Sequence, residues 1–300
     1  MMTIGLRFVL LAGSALAFAG AAHAAPLPDA VNAMLEAAGG DEAQLKTVAD
    51  IAKKTNPDSV AEVDAKVAAI NAANAKAREE KLASQSFLEG WSGSGEFGAF
   101  FTSGNTDNTG VALGLTLKKE SLHWKHQLRG FVDYQQQSGT TTAQRYFAGY
   151  EGNYNITPRL YALLTLSYES DIFAGFDYRF SESLGLGYKV VDTDKVQLGL
   201  EAGPALRQTQ FTNDVYESGF AFRAAGNFGW KITPTLELTE TASYFYQDIN
   251  STFNSLTSLT WKLTDAFSGR FSFLYQNQTN PPVGLRNYDT TTRLTLVYNF

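Results

Sequence analysis

The chain contains no cysteine, which excludes a disulfide framework and any thiolate nucleophile or metal ligand. Small exported domains usually need such staples. A closed barrel does not, because its interior backbone groups pair with neighbouring strands. Beyond residue 24 no stretch approaches the roughly eighteen apolar residues of a membrane-crossing helix. Histidine is scarce, at 3 residues, and His23 lies in the leader described below. A basic excess is missing too. The formal net charge of -6 argues against broad nucleic-acid binding.

What the chain does have at its front is a secretory leader. Met1 to Ala24 carries one early positive charge (Arg7), an apolar run from Phe8 through Ala22, and a small-x-small ending, Ala22-His23-Ala24. A helical extension over 25–86 follows, rich in Ala, Lys, Glu and Asp and broken at Gly39-Gly40. Asp41 is placed to cap the next piece with Gln44 reaching back. Asn56-Pro57 reads as an N-cap with proline at the first helical position. Val60, Val63, Val67, Ile70, Asn74 and Ala77 then repeat at three-then-four spacing. That seam is expected to pack on Leu45, Val48 and Ile51 in a hairpin, with pairing to a second copy as the alternative.

At Phe87 the composition changes to Gly, Thr, Ser and aromatics, and the period changes to two. Strands are expected near 90–103, 109–120, 123–137, 143–155, 159–169 and 176–190, then near 195–207, 217–231, 235–248, 252–263, 266–277 and 287–300. The last one shows the logic. Leu294, Leu296, Tyr298 and Phe300 form an apolar face, against Arg293, Thr295, Val297 and Asn299 on the other. Apolar-out and polar-in is the pattern of a transmembrane β-barrel strand. The fold class is therefore all-β: a transmembrane antiparallel barrel of about twelve strands over 87–300, after a short α-helical periplasmic segment. Short turns should face the periplasm and longer loops the outside, which puts both chain ends of the barrel at the periplasmic rim.

Trp91 and Trp124 open upward strands while Trp230 and Trp261 end downward ones, so all four are expected in a periplasmic aromatic girdle. Inward positions give candidate lumen residues Glu96, Arg129, Glu151, Glu201, Arg223, Arg270 and Arg293. Such charges either plug the interior as ion pairs or line a narrow watery passage. Glu240 breaks the pattern: alternation from Leu236 and Leu238 points it at lipid, so a bulge or a place outside the apolar band is expected there.

Trp91-Ser-Gly-Ser-Gly-Glu-Phe-Gly98, Thr102-Ser-Gly-Asn-Thr-Asp107 and the Tyr288 to Phe300 ending resemble the YdiY-like family of salt-induced outer-membrane β-barrel proteins, a domain of unknown function. The resemblance covers about Gly90 to Phe300. It implies a Gram-negative outer-membrane barrel with no established activity, linked by the family's name to osmotic conditions, and no catalytic residues come with it. The free C-terminal aromatic likewise resembles the signal read by the barrel-assembly machinery.

Catalysis finds little material. An outer-membrane lipid hydrolase needs a His beside a Ser nucleophile. Only His123 and His126 survive cleavage, both at the periplasmic start of one strand. Asn105, Asp107 and Asn108 lack the spacing of a calcium loop, and Gly93, Gly95 and Gly98 do not precede a helix as a phosphate loop requires. No cofactor or metal is expected. The expected role is structural or a porin-like channel for small solutes or ions, with outer-membrane lipids and the assembly machinery as partners and no nucleic acid. The alternatives are an outer-membrane enzyme and a translocator or adhesin-type surface protein, though few residues precede the barrel to serve as cargo.

Deleting Phe300, or replacing it with a charged residue, is expected to impair insertion. The check is heat-modifiable mobility of the protein in outer-membrane fractions; undiminished folded barrel in the mutant contradicts the reading.

Overall fold

The structure, a computed structural model, describes residues 26–104, 108–137, 140–248 and 250–300. The expected signal peptide at 1–24 and the turn residues Asn105 and Asp107 lie outside the described residues. Two compact units are present, one ending at Lys81 and the other running Leu82–Phe300.

The second unit is a closed barrel of twelve antiparallel strands. They are β1 (Trp91–Ser103), β2 (Asn108–Glu120), β3 (Trp124–Gln137), β4 (Thr140–Asn155), β5 (Leu160–Asp171) and β6 (Phe176–Asp192). The other half comprises β7 (Val196–Phe211), β8 (Tyr216–Thr233), β9 (Leu236–Tyr246), β10 (Thr252–Lys262), β11 (Phe267–Gln278) and β12 (Tyr288–Asn299). Each pairs with its sequence neighbours, and β1 pairs with β12 from Ser94↔Asn299 to Ser103↔Thr290. No strand edge is left for hydrocarbon to face.

The period of two decides the faces. On β12 Leu294 is 53 % exposed, Leu296 49 % and Tyr298 48 %, whereas Val297 is 1 % and Thr295 6 % exposed. A soluble sandwich would bury the aromatic and leucine face instead. Phe300 extends the seam: its N–H donates to the Gly93 carbonyl at 2.9 Å and its own carbonyl accepts from Gly93 N at 2.8 Å. Its ring lies where a Cβ on Gly93 would be, 2.6 Å from Phe300 Cζ. Further up the seam a Cβ on Gly98 would stand 2.0 Å from the Leu294 carbonyl oxygen, so glycine is what lets β1 approach β12 there.

One barrel end holds the starts of the odd strands, the finish of β12 and the turns 121–123, 156–159, 193–195, 234–235 and 263–266. We call it the terminus end. Trp91, Trp124, Trp230 and Trp261 all sit there, and Trp261 lies flat against Gly269, where a Cβ would be 2.2 Å from its ring. The opposite loop end carries the other connections. The expected contrast in length comes mainly from 279–287, since 172–175 and 212–215 are as short as the turns below.

Glu240 corrects an expectation. Neither a bulge nor a rim position removes it from the outer face. β9 pairs with β10 in unbroken register from Leu236↔Trp261 to Phe245↔Thr252, with Glu240 opposite Thr257 at mid-strand. The carboxylate is satisfied locally instead: Ser255 Oγ donates at 2.6 Å, and the Thr257 hydroxyl donates to its other oxygen. The same count places Glu182 on the outer face, between Leu166 and Leu206.

The helical unit holds α1 (Asp29–Ala38), α2 (Glu42–Thr55) and α3 (Val60–Ser84). Asp41 Oδ1 accepts from Gln44 N at 2.9 Å, capping α2 as expected from the sequence. Asn56 does not cap the following helix. Its Nδ2 donates back to the Ala52 carbonyl at 3.1 Å, closing α2, while Pro57 opens a 3-10 turn over Pro57–Ser59. The core gathers Leu27, Leu35, Ala38, Leu45, Ala49, Ala52 and Val63, with Val48, Val67 and Ile70 against it. Three helices therefore share the seam rather than two. Ile51 is left exposed, and Asn74 donates to the Gly39 carbonyl at 2.7 Å.

Truncating Leu35 or Leu45, both almost wholly buried, to alanine is expected to destabilise the helical unit by roughly 2–5 kcal/mol. Thermal melts followed by the helical circular-dichroism band check this. The barrel's heat-modifiable shift should stay in place; its loss in the same variants contradicts the separation into two units.

Candidate functional site

The site is the barrel interior, built from the inward residues of every strand. In the terminus half, Glu96 on β1 meets Arg270 on β11, two strands away, in an ion pair. Thr295 Oγ1 also donates to Glu96 at 3.3 Å, and Arg270 Nε donates to Thr260 Oγ1 at 3.0 Å. Glu201 on β7 accepts from Arg223 Nη1 at 2.9 Å, Tyr161 Oη at 3.0 Å and Asn227 Nδ2 at 3.1 Å. A carboxylate with three donors is well compensated for its burial. Glu151 takes a bond from Asn153 Nδ2 at 2.8 Å. Arg129 points inward between Leu128 and Gly130 yet is exposed, so water reaches the interior from this end.

The loop half is filled. Arg293 on β12 forks onto both oxygens of Asp133 on β3, with Nε to Oδ1 at 3.0 Å. Those strands are three apart around the barrel, so the pair ties distant parts of the wall together. Arg145 on β4 holds Glu169 on β5, with Nε to Oε1 at 2.9 Å, and has Asp171 at 3.8 Å. Phe131 lies between the two guanidiniums, 4.9 Å from each, and stacks on Phe147 at 5.0 Å. Arg179 on β6 rests on Phe176 and Arg207 on β7 on Phe245, both at 4.2 Å. Stacking holds these guanidiniums in place beyond what hydrogen bonds do.

The mouth is closed by short polar contacts. Asp171 Oδ1 accepts from Ala174 N at 3.0 Å, and Gln278 Nε2 donates to the Ala174 carbonyl at 3.4 Å. Asn250 Nδ2 donates to Gln278 Oε1 at 3.0 Å. Beneath them lie a cavity of about 40 Å³ bordered by Phe100, Asp133 and Arg145, and one of about 10 Å³ beside Arg179 and Gln278. The smaller holds about one water.

Of the seven lumen residues read from the sequence, five fall into three ion pairs: Glu96 with Arg270, Glu201 with Arg223, and Arg293 with a partner the sequence did not single out. Among the described residues Arg129 and Glu151 are in no ion pair. Alternation from Leu160 already puts Glu169 inside, whereas Asp133, Arg145, Asp171 and Arg179 were missed. Strict alternation from Trp124 would have put Asp133 inside too, but its pairing with Arg293 needs the register of strands far apart in sequence.

The outer face at the terminus end carries the histidines. His126 Nδ1 lies 2.9 Å from Tyr150 Oη and stacks on Trp124 at 5.7 Å, while His123 sits 6.0 Å from Tyr154. No serine hydroxyl bonds either ring among the described residues. Lys119, nearby, donates to the carbonyls of Phe87 and Glu89 at 2.9 and 2.8 Å, and to that of Ser86, tying residues 86–89 to the wall.

Fold and interior together define a twelve-stranded transmembrane β-barrel with an ion-paired lumen. The chain belongs to the family of proteins of unknown function DUF481, whose model matches residues 95–300. It is 22% identical over 198 residues to the uncharacterized protein YdiY of Escherichia coli (strain K12), covering 66% of this chain and 78% of that one. Among solved structures, the NanC porin matches 69% of this chain and 100% of its own at 10% identity, with a TM-score of 0.48. An outer membrane channel from Pseudomonas putida F1 matches 72% and 97% at 11% identity, with a TM-score of 0.45. Likenesses of this size carry nothing about activity.

Replacing Arg293 with Gln, or Asp133 with Asn, leaves a buried charge without its partner and is expected to cost roughly 3–5 kcal/mol. The double variant should recover much of that loss. The temperature of the heat-modifiable shift across the double-mutant cycle checks it, and additive effects would show that the pair is not coupled.

Proposed function

We propose that the protein resides in the bacterial outer membrane, with its helical unit in the periplasm, and passes small solutes or ions through an interior narrowed by its own ion pairs. The observation that carries this is the asymmetry of the lumen: Arg129 is exposed to water in the terminus half, while Arg293–Asp133 and Arg145–Glu169 fill the loop half. A charged constriction in a water-lined passage is how a barrel selects among ions. Twelve strands lie between barrels filled by side chains and porins with open channels. The osmotic or salt link implied by the family resemblance fits a passage for small ions and enters on that ground alone.

A second reading, a sealed barrel with a structural role, is favoured by the small residual cavities of about 40 and 10 Å³. A lipid hydrolase is the weakest reading. His126 points to lipid with a tyrosine as its partner, and a general base needs a nucleophile within reach.

Recording from purified full-length protein in planar bilayers separates the first two. Small discrete currents that grow in the Asp133→Asn, Arg293→Gln double variant are expected. Silence of both proteins, with insertion confirmed, would establish the sealed barrel.

A further inference from the structure

The loop half of the interior contains two arginines that no carboxylate touches among the described residues, although Glu169, Asp171 and Glu217 lie near enough to act on Arg179, and Glu169 on Arg207. Asp133 is taken by Arg293, and both Glu169 and Asp171 by Arg145. Arg179 and Arg207 have no carboxylate within 4.0 Å among the described residues. Glu169 is the register partner of Arg179, but its Oε1 already accepts two bonds from Arg145. Glu217, opposite Thr209, and Asp289 stand nearer the mouth.

What the two guanidiniums hold instead is neutral. Arg179 Nε donates to Thr209 Oγ1 at 3.4 Å and its Nη2 to Gln278 Oε1 at 3.2 Å. Arg207 Nε donates to Ser181 Oγ at 3.2 Å and its Nη1 to Thr252 Oγ1 at 2.9 Å. A guanidinium has five N–H donors, so each arginine keeps one terminal nitrogen, Nη1 of Arg179 and Nη2 of Arg207, that bonds no group among the described residues. The two sit on adjacent strands one rung apart, since Arg179 faces Thr209 and Arg207 faces Ser181. Both are more than nine-tenths buried, at 8 % and 4 % exposure, and each is braced by a phenylalanine ring.

Two like charges held close together out of water repel, and burial of an unpaired cation is costly. Nearby, Arg145 Nη1 is buried without a hydrogen-bond partner among the described residues, as is Ser183 Oγ, one inward position below Ser181. Donors in excess, fixed in place and without a carboxylate in hydrogen-bond contact, describe the walls of an anion site. The adjoining cavity of about 10 Å³ is bordered by Arg179, Thr252 and Gln278 on one side and by Asp289 towards the mouth, with Arg207 outside its lining, and suits only a small occupant.

We propose that Arg179 and Arg207 form a binding site for a small inorganic anion such as chloride, and that this site makes the passage anion-selective. The selectivity half rests on the permeation reading above; the site itself does not. With an anion between them, the guanidiniums gain the acceptor that the protein fails to supply. An anion crossing the constriction would exchange through this point, while cations meet two guanidiniums that no carboxylate touches.

The test uses purified full-length protein with chloride as the probe and two readouts. Reversal potentials across a KCl gradient should show an anion preference that falls several-fold in the Arg179→Gln, Arg207→Gln variant and survives in Arg179→Lys, Arg207→Lys. Independently, chloride should raise the temperature of the heat-modifiable shift relative to gluconate at equal ionic strength, and the glutamine variant should lose that increment. If the double glutamine variant fails to fold, Arg207→Gln alone is read the same way. Chloride stabilisation in a protein that passes no current would overturn the channel reading and leave the site standing. A folded glutamine variant with unchanged selectivity, or with chloride stabilisation equal to the parent's, would overturn the site.

Discussion

Inside hydrocarbon a backbone amide has no water to bond, and the pairing of β1 with β12 is the contact on which the rest of this barrel depends. Without it two edges would each present a row of unpaired donors and acceptors. The seam has its own provisions: Gly98 lets the strands approach, and Phe300 continues the ladder onto Gly93 beyond the last strand residue. Closure then fixes the two faces. Every strand must turn its apolar residues to lipid, and the polar ones have only each other and whatever water enters.

The interior follows from that second demand. Charges carried inside are affordable in free energy only when paired and hydrogen-bonded, and most here are. The pairs are also long-range. Arg293 and Asp133 lie 160 residues apart in the chain, and Arg270 and Glu96 lie 174 apart. Each tie joins strands that are not neighbours and so braces the barrel across its width. Aromatic rings do the filling between guanidiniums, with Phe131 flanked by Arg145 and Arg293. The result is an interior open to water at one end and closely filled at the other.

Much of this could be read from the residues alone, and the limits have physical causes. The strand count, the two faces of β12 and the end at which Trp91, Trp124, Trp230 and Trp261 gather all follow from period two and turn chemistry, which are local properties. Glu240 escaped because alternation knows nothing of the neighbouring strand: only the register with β10 brings Ser255 and Thr257 to its carboxylate. The inward phenylalanines escaped because a lumen is expected to be polar, whereas arginine stacking makes a ring a fitting neighbour there. The cluster of Arg145, Glu169, Arg179 and Arg207 draws on four adjacent strands, and its balance of charge appears only once their registers are known. In the helical unit the seam was legible, but the share of α1 in its core, through Leu35 and Ala38, was not.

The central claim is that one face of each strand meets lipid and the other an ion-paired interior. The absence of native cysteine makes this directly measurable, since single cysteines can be introduced and spin-labelled one at a time. Labels at Leu294, Thr295, Leu296 and Val297 in membrane-embedded protein should alternate: accessible to molecular oxygen at the leucines, shielded from it at Thr295 and Val297. Uniform accessibility to a water-soluble nickel reagent along the strand, or an oxygen maximum at Thr295 and Val297, would contradict the account.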